Sequence, residues 1–442
     1  MTTWTTTPFS QLLVDTKDGE WGEDEQSGGL REALIVRGTD FANLDEPDVE
    51  FPRRWVKEHI VERKRLQPDD IILETAGGTS SQSTGRTALL KLSFFLQHAD
   101  LPVLCASFSR HLRLKTNEYS PPFVYYLLQM LHRTGYMAVF NIQHTGVSRF
   151  QYTAFKNHTE LQIPEFTIQR KIAAILSTYD ELIENNKRRI AFLDKLADEV
   201  YREWFVRLRF PGHQKANFIK GVPGDWPVKK LGELVRTQYG YTASAEAEGD
   251  GPKFLRITDI VPAAINWELV PHCKIDENDE EKYLLREGDI VVARTGATFG
   301  YAKRINKRHP KTIFASYLVR LIPKRPVDAI FLGLSIERST FKEFVRMFDT
   351  GAAQPQANAT TMALFPVLYP PEPLLTEFNK IAEPILDEKE LLLDQVATLS
   401  RTRDSLLPRL ISGKLSVENL DIQFPPGMAQ ELRVEPLALA HA

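Results

Sequence analysis

The chain repeats itself once, and this duplication restricts its fold more than any other feature. Trp4-Thr5-Thr6-Thr7-Pro8-Phe9-Ser10-Gln11-Leu12 returns as Trp226-Pro227-Val228-Lys229-Lys230-Leu231-Gly232-Glu233-Leu234. Residues 36–41 return as 255–260, Asp70-Ile71-Ile72-Leu73 as Asp289-Ile290-Val291-Val292, and Ala106-Ser107-Phe108 as Ala315-Ser316-Tyr317. Thr145-Gly146 returns as Thr350-Gly351, and Ile172-Ala173 as Ile381-Ala382. The matches keep their order over a long stretch, so the repeating unit is a whole domain rather than a solenoid module. Two heads of one fold are expected, with Asp40 equivalent to Asp259 and Asp70 to Asp289.

Each copy ends in a long helical pattern. Between 167 and 206, Ile168, Ile172, Leu176, Tyr179, Leu182, Ile183, Ile190, Leu193, Leu196, Val200 and Trp204 recur at three- and four-residue steps, with charged residues between them. No proline or glycine interrupts this stretch. About forty helical residues would span roughly 60 Å. Between 374 and 412 the seam is Phe378, Ile381, Ile385, Leu392, Val396, Leu399, Leu406 and Leu410, closed by Gly413. Pro384 lies near the first turn, where it can kink the helix. A narrow apolar seam on a long helix wants a partner helix, and an antiparallel pair within the chain is the simplest packing. The alternative is that each helix lies on its own head. Short β-rich runs such as Ala33-Leu34-Ile35-Val36, separated by Gly, Asp and Pro turns, make the heads α+β.

Composition excludes several classes. With 442 residues, two or more domains are expected. Two cysteines cannot make a disulfide framework, which points to a reducing, cytoplasmic location. No apolar run approaches a membrane span. A net charge of −3 argues against non-specific coating of nucleic acid, but leaves room for local basic faces.

Two motifs resemble catalytic ones. Ser120-Pro121-Pro122-Phe123 is similar to the element with which amino-methyltransferases grip a flipped base. The second copy has Arg325-Pro326-Val327-Asp328 there, and no Gly-x-Gly turn for S-adenosylmethionine accompanies it. Pro68-Asp69 with Glu74 hints at a metal-dependent nuclease, but Ala76 stands where a lysine is needed. No phosphate loop and no His/Cys cluster is present. The chain is expected to be non-enzymatic by itself, with no metal.

Other loops look fit to read a nucleic acid. The glycine-rich stretch holding Gly77, Thr79, Ser80, Gln82 and Arg86 corresponds to the one holding Thr295 and Thr298. Glycine lets the backbone approach a ligand closely, and Gln, Thr and Arg reach base edges. Flexible surface turns are the plain alternative. The last loop of each head is polar in the same place: Arg149 and Gln151 in one, Gln354, Gln356 and Asn358 in the other. Basic residues cluster at Arg53, Arg54, Lys57, Arg63, Lys64 and Arg65, and again at Lys303, Arg304, Lys307, Arg308 and Lys311. Such clusters can track phosphates or can be solvated faces.

The chain resembles the specificity subunits of type I restriction–modification systems. The residues carrying the resemblance are Ile163-Pro164-Glu165, Gln169-Arg170-Lys171-Ile172-Ala173, Ile175-Leu176-Ser177, Trp204-Phe205-Val206 and Arg209-Phe210-Pro211-Gly212. Asp404-Ser405-Leu406-Leu407-Pro408-Arg409-Leu410-Ile411-Ser412-Gly413-Lys414-Leu415 closes the second helix in the same manner. The resemblance implies a target-recognition domain at 1–165, a spacer helix at 166–211, a second recognition domain at 212–372, a second spacer helix at 373–415 and a tail at 416–442. It implies double-stranded DNA as ligand, two adenine-N6 methyltransferase subunits as partners, and room for two restriction/translocase subunits. It implies that Ile172, Leu176, Leu193, Trp204, Ile381, Ile385, Leu399 and Leu410 dock partners. S-adenosylmethionine would belong to the methyltransferase, and ATP and Mg2+ to a restriction subunit. The alternatives are a subunit of a type IIB-like methyltransferase–nuclease, or an architectural protein built on its helix pair.

Overall fold

The computed structural model describes residues 4–44, 49–78, 83–144, 147–348 and 357–425. The chain divides into two compact units. One runs to Asn185 and resumes from Val396; the other is Asn186–Gln395. The five expected segments therefore regroup: each unit takes one head and one half of each long helix.

In the first unit β1 (Thr5–Pro8), β2 (Leu13–Asp18) and β3 (Leu30–Val36) are followed by β4 (Arg53–Lys57) and α1 (Glu58–Lys64). Then come β5 (Ile71–Glu74), β6 (Ala76–Gly78), β7 (Thr87–Leu89), α2 (Leu92–Gln97), β8 (Val103–Cys105) and β9 (Ser109–Leu114). The head closes with α3 (Pro121–Arg133), β10 (Asn141–His144), β11 (Val147–Phe150), α4 (Tyr152–His158) and β12 (Glu160–Ile163), and α5 (Phe166–Tyr201) leaves it. In the second unit β13 (Phe218–Ile219) and β14 (Val222–Pro223) form a small hairpin. They precede β15 (Val228–Lys230), α6 (Leu231–Leu234), β16 (Val235–Tyr239), β17 (Lys253–Leu255) and α7 (Glu277–Tyr283). β18 (Ile290–Ala293), β19 (Ala302–Arg304), β20 (Thr312–Phe314), β21 (Leu318–Pro323), α8 (Ala329–Ile336), α9 (Ser339–Arg346), α10 (Ala359–Ala363), β22 (Pro366–Leu368) and α11 (Glu372–Ile411) complete the chain.

The two heads share a topology. The main sheet has the order β2-β9-β5-β7 in one and β16-β21-β18-β19 in the other, antiparallel throughout. The parallel pair β3–β8 matches β17–β20, and β1–β12 matches β15–β22. Ile71 lies opposite Leu112, and Ile290 opposite Leu321, so Asp70 and Asp289 enter their strands in one register. Each accepts a backbone N–H from three residues back: Gln67 at 2.7 Å and Arg286 at 2.6 Å. Asp40 and Asp259 likewise accept from Arg37 and Arg256, both at 2.8 Å, and pair with those same guanidinium groups. Among the described residues, β10-β11-β6 is peculiar to the first head.

Alternation explains how these central strands are buried on both faces. Ile71 and Leu73 enter one core while Ile72 enters another; Ile290 and Val292 part from Val291 and Ala293 in the same way. The first of these cores is completed by the start of α5 and the end of α11, through Ile168, Ile172, Leu176, Leu407, Leu410 and Ile411. The corresponding core of the second unit takes Tyr201, Trp204, Phe205, Leu375 and Phe378.

Both long helices form. α5 is uninterrupted, then widens into a π turn over Arg202–Val206 before Leu208 and Gly212 adopt positive φ. α11 runs through Pro384 and Pro408 without a break, since tertiary packing outweighs one lost backbone bond at each. Pro384 sits well inside the helix, not in its first turn. Within the first unit Arg403 grips Asp180 at 2.5 Å. Within the second, Asn186 meets Gln395, Arg189 meets Glu388 and Asp194 meets Lys389. In each unit, earlier residues of α5 meet later residues of α11, which is antiparallel pairing. Gly413, at φ +72°, ends α11.

Asp69 lies in the left-handed region, at φ +69°, directly before Asp70. Burial, and then the Asp70 charge, push its carboxyl up to about 6 from 3.8. A carboxylate raised in the folded state lends stability below its ordinary pKa and loses it as pH rises through about 6. Asp69→Asn keeps a side chain that tolerates positive φ and removes the charge. The variant should match the parent near pH 4 and exceed it above pH 6, by at most about 3 kcal/mol. Urea unfolding of the first head across that range checks this, and a gap that narrows with rising pH would contradict it.

Candidate nucleic-acid interface

In each head three segments converge at one end of the main sheet. The first is the glycine turn after the central strand. Gly77 has φ +112° and Gly296 has φ +72°, both costly for a side chain with a Cβ. The second is the segment before a short helix: Phe150 donates its backbone N–H to Thr75 O, and Ala357 donates to Arg294 O. That match makes Gln151 and Asn358 equivalent, and they are the N-cap residues of α4 and α10. The third is a tight turn before β9 and β21. Ser109 N–H donates to Ala106 O, and Leu318 N–H to Ala315 O, both at 2.8 Å. It places Phe108 and Tyr317 at the surface, 61% and 59% exposed.

The expected readers separate into groups. Gly77, Arg149 and Gln151 are exposed, and the side chains of Arg149 and Gln151 have no partner among the described residues. Arg149 stands on β11 opposite Ala76 of β6, beside the glycine turn. Asn358 is exposed, but its Oδ1 accepts from Thr361 N at 2.7 Å and Oγ1 at 3.0 Å, so only its amide N–H groups remain for a ligand. Thr79, Ser80, Gln82, Gln354 and Gln356 lie outside the described residues.

Other expectations need correcting. Thr295 is only 6% exposed and Thr298 Oγ1 turns back to Thr295 O, so neither side chain is presented to a ligand. Arg86 forks onto the buried Glu74 at 2.5 and 2.9 Å, and this bonding raises its pKa. Its role is to neutralise a buried carboxylate under the glycine turn. Arg304 faces α11, lining a cavity of about 340 Å³ with Asn379, Leu386 and Glu390. Lys307 pairs with Asp387 at 2.5 Å and Arg308 with Asp394 at 3.0 Å. These cations are committed to carboxylates of α11.

The two catalytic look-alikes also resolve as structure. Ser120, Pro121, Pro122 and Phe123 are all buried at the start of α3, where Ser120 N–H donates to Gln169 Oε1. Asp69 occupies the left-handed turn before β5, and Glu74 is buried in a pair with Arg86. Among the described residues, no group of three His, Cys, Asp or Glu is placed to hold a metal ion. No described helix is long and apolar enough to cross a membrane.

Of the expected partner-docking residues, Ile172, Leu176, Trp204 and Leu410 are buried in this chain's own cores, which corrects that assignment. Leu193, Ile385 and Leu399 are half-buried, while Ile381 is exposed. Phe192 and Leu391, absent from the expected set, are exposed on α5 and α11. Phe192 falls off the seam that the sequence pattern followed. Phe108 and Tyr317 were visible in the sequence only as a repeated Ala-Ser-aromatic triplet.

Residues 61–195 match the family model described as the type I restriction modification DNA specificity domain. Residues 61–195 thus carry the signature of that domain, and the chain as a whole is similar to type I restriction–modification specificity subunits. It is 26% identical over 304 residues to the type I restriction enzyme MjaIX specificity subunit of Methanocaldococcus jannaschii, covering 66% of this chain and 69% of that one. It is 21% identical to the type I restriction enzyme StySPI specificity subunit of Salmonella potsdam, over 94% of this chain and 90% of that one. The fold is similar to that of the type I S subunit from M. genitalium, with a TM-score of 0.58 at 17% identity over 92% and 96% of the two chains.

Arg86→Ala should act on folding before it acts on any recognition. It strands the buried Glu74 carboxylate, which should cost about 3 kcal/mol. Lys307→Ala, at an exposed pair, should leave the unfolding midpoint nearly unchanged. Thermal unfolding of both variants checks this; equal midpoints would show that the Glu74 pair holds nothing together.

Proposed function

We propose that each head reads one half of a bipartite duplex DNA target in the cytoplasm. The two long helices set the distance between the halves and seat two adenine-N6 methyltransferase subunits. Methyl transfer belongs to those partners, which bind S-adenosylmethionine and flip the target base. Restriction/translocase subunits, with their ATP and Mg2+, join the same assembly where cleavage accompanies modification. One observation carries the reading: the same arrangement of a glycine turn, a polar residue capping a short helix and an exposed aromatic is built twice on one topology. A duplicated reader suits a target in two parts, and an arginine or amide beside a close-approaching backbone suits base edges. Phe192, Leu391 and Ile381 are the apolar side chains offered to partners along the helices.

Two outcomes test it. Arg149→Ala should cost about 1–3 kcal/mol of specific binding and relax preference in one half-site only. Asn358→Ser keeps a capping oxygen and removes the amide, and should relax the other half-site. Selection from a library of bipartite duplexes, using the full complex, reads both. Uniform weakening across all sequences would contradict the assignment of halves. Inserting seven residues at matched positions in α5 and α11 adds about 10 Å of helix. The preferred spacer should lengthen by about three base pairs, with both half-sites unchanged. Altered half-sites at constant spacing would refute the ruler.

A further inference from the structure

Phe108 and Tyr317 are the largest side chains left without a structural task at the reading end of each head. Neither has a ring, cation or hydrogen-bond partner among the described residues. A lone exposed aromatic is ordinary. Two at equivalent positions of a duplicated domain, on turns built alike, are not. Thr75 N–H donates to Phe108 O at 2.8 Å, and Arg294 N–H to Tyr317 O at 3.0 Å, which ties each turn to the segment leading into the glycine loop. Beneath each turn lies a glycine that nothing else could replace. A Cβ on Gly19 would stand 2.1 Å from Ala106 O, and one on Gly240 would stand 2.2 Å from Ala315 O. Gly19 N–H donates to Ser109 O, and Gly240 N–H to Leu318 O. The backbone under each ring is therefore fixed from two sides, while the ring points into solvent.

We propose that Phe108 and Tyr317 are duplicated wedges that press against a base step of duplex DNA, one in each half-site, and so add specificity through the deformability of that step. This rests on the reading of the heads as DNA readers. A rigid aromatic loses little conformational freedom on contact. Apolar side chains that partly unstack a base step kink the duplex, and the cost depends on which step is deformed. Tyrosine and phenylalanine share the ring and differ in the hydroxyl, so the ring is the common element.

The test uses the full chain assembled with its methyltransferase subunits, and duplexes carrying a fluorophore pair across each half-site. Phe108→Ala should lower specific affinity roughly tenfold or more, confined to the first head's half-site, and should relax the bend measured there by energy transfer. Tyr317→Ala should do the same in the other half. Tyr317→Phe should bind and bend as the parent does. Both rings are exposed, and unchanged melting of the variants will show that folding is intact. Affinity within twofold of the parent and an unchanged bend, while Arg149→Ala still shifts preference, would overturn the wedge and leave the reader standing. Preference unmoved by all of these variants would remove both readings. Lost assembly with methyltransferase at unchanged DNA preference would make the rings a protein contact and likewise overturn the proposal.

Discussion

The apolar seams of the two long helices are spent on the heads. Ile172, Leu176, Leu407 and Leu410 close the core of the first unit, and Trp204, Leu375 and Phe378 close that of the second. Neither main sheet could bury the matching face without its helical half, because the strands facing it carry Ile, Leu and Val. A helix that merely linked the heads could be lengthened or bent at no cost to them. Here the orientation of each helix end is locked to the sheet it covers. The same side chains thus stabilise each head and fix the helical half that covers it.

Charge follows a similar economy. The central strand of each head begins at a buried aspartate, and the neighbouring strand supplies the balancing guanidinium. In the second head Arg320, opposite Val291, reaches Asp289 at 2.5 Å. Burial pushes the Asp289 carboxyl up, and the arginine opposes that shift. In the first head the equivalent position, opposite Ile72, is His111, which turns to Asp15, and Arg113 two residues further along reaches Asp70. Side chains two apart share a strand face, so either position can deliver the cation. The fold preserves the need for compensation and lets its source move.

The duplication, the α+β class and the two helices were legible because each leaves an ordered trace: strand runs with their turns, and three- and four-residue steps. The equivalence of Asp40 with Asp259, and of Asp70 with Asp289, was legible because the repeated segments that hold them keep their order, and the structure adds that each carboxylate accepts from the amide three residues before it. The partners of charged residues were not legible. Lys307 and Arg308 read as a basic loop, and nothing local announces Asp387 and Asp394 some eighty residues later. Ile172, Leu176, Trp204 and Leu410 were right as helix positions but are taken up by this chain's own cores, since periodicity reports burial and is silent on which surface does the burying. Phe108 stood in the sequence only as part of a repeated triplet, and it is the turn geometry that puts its ring outside.

These facts together separate what must stay constant from what can vary. Gly19 and Gly240 cannot change without breaking the turns beneath the rings, and the buried aspartates cannot change without unpairing an arginine. Arg149 and Gln151 carry no such duty among the described residues, and Asn358 needs only an oxygen at its cap. A head can therefore exchange the side chains at its reading end while the backbone that presents them stays fixed. The extra hairpin of β10 and β11 extends this: it lays a strand bearing Arg149 beside β6, adding an edge without disturbing the sheet order common to both heads. Divergent side chains on one scaffold follow from hydrogen bonds that fix the turns through backbone atoms alone, which any side chain leaves available.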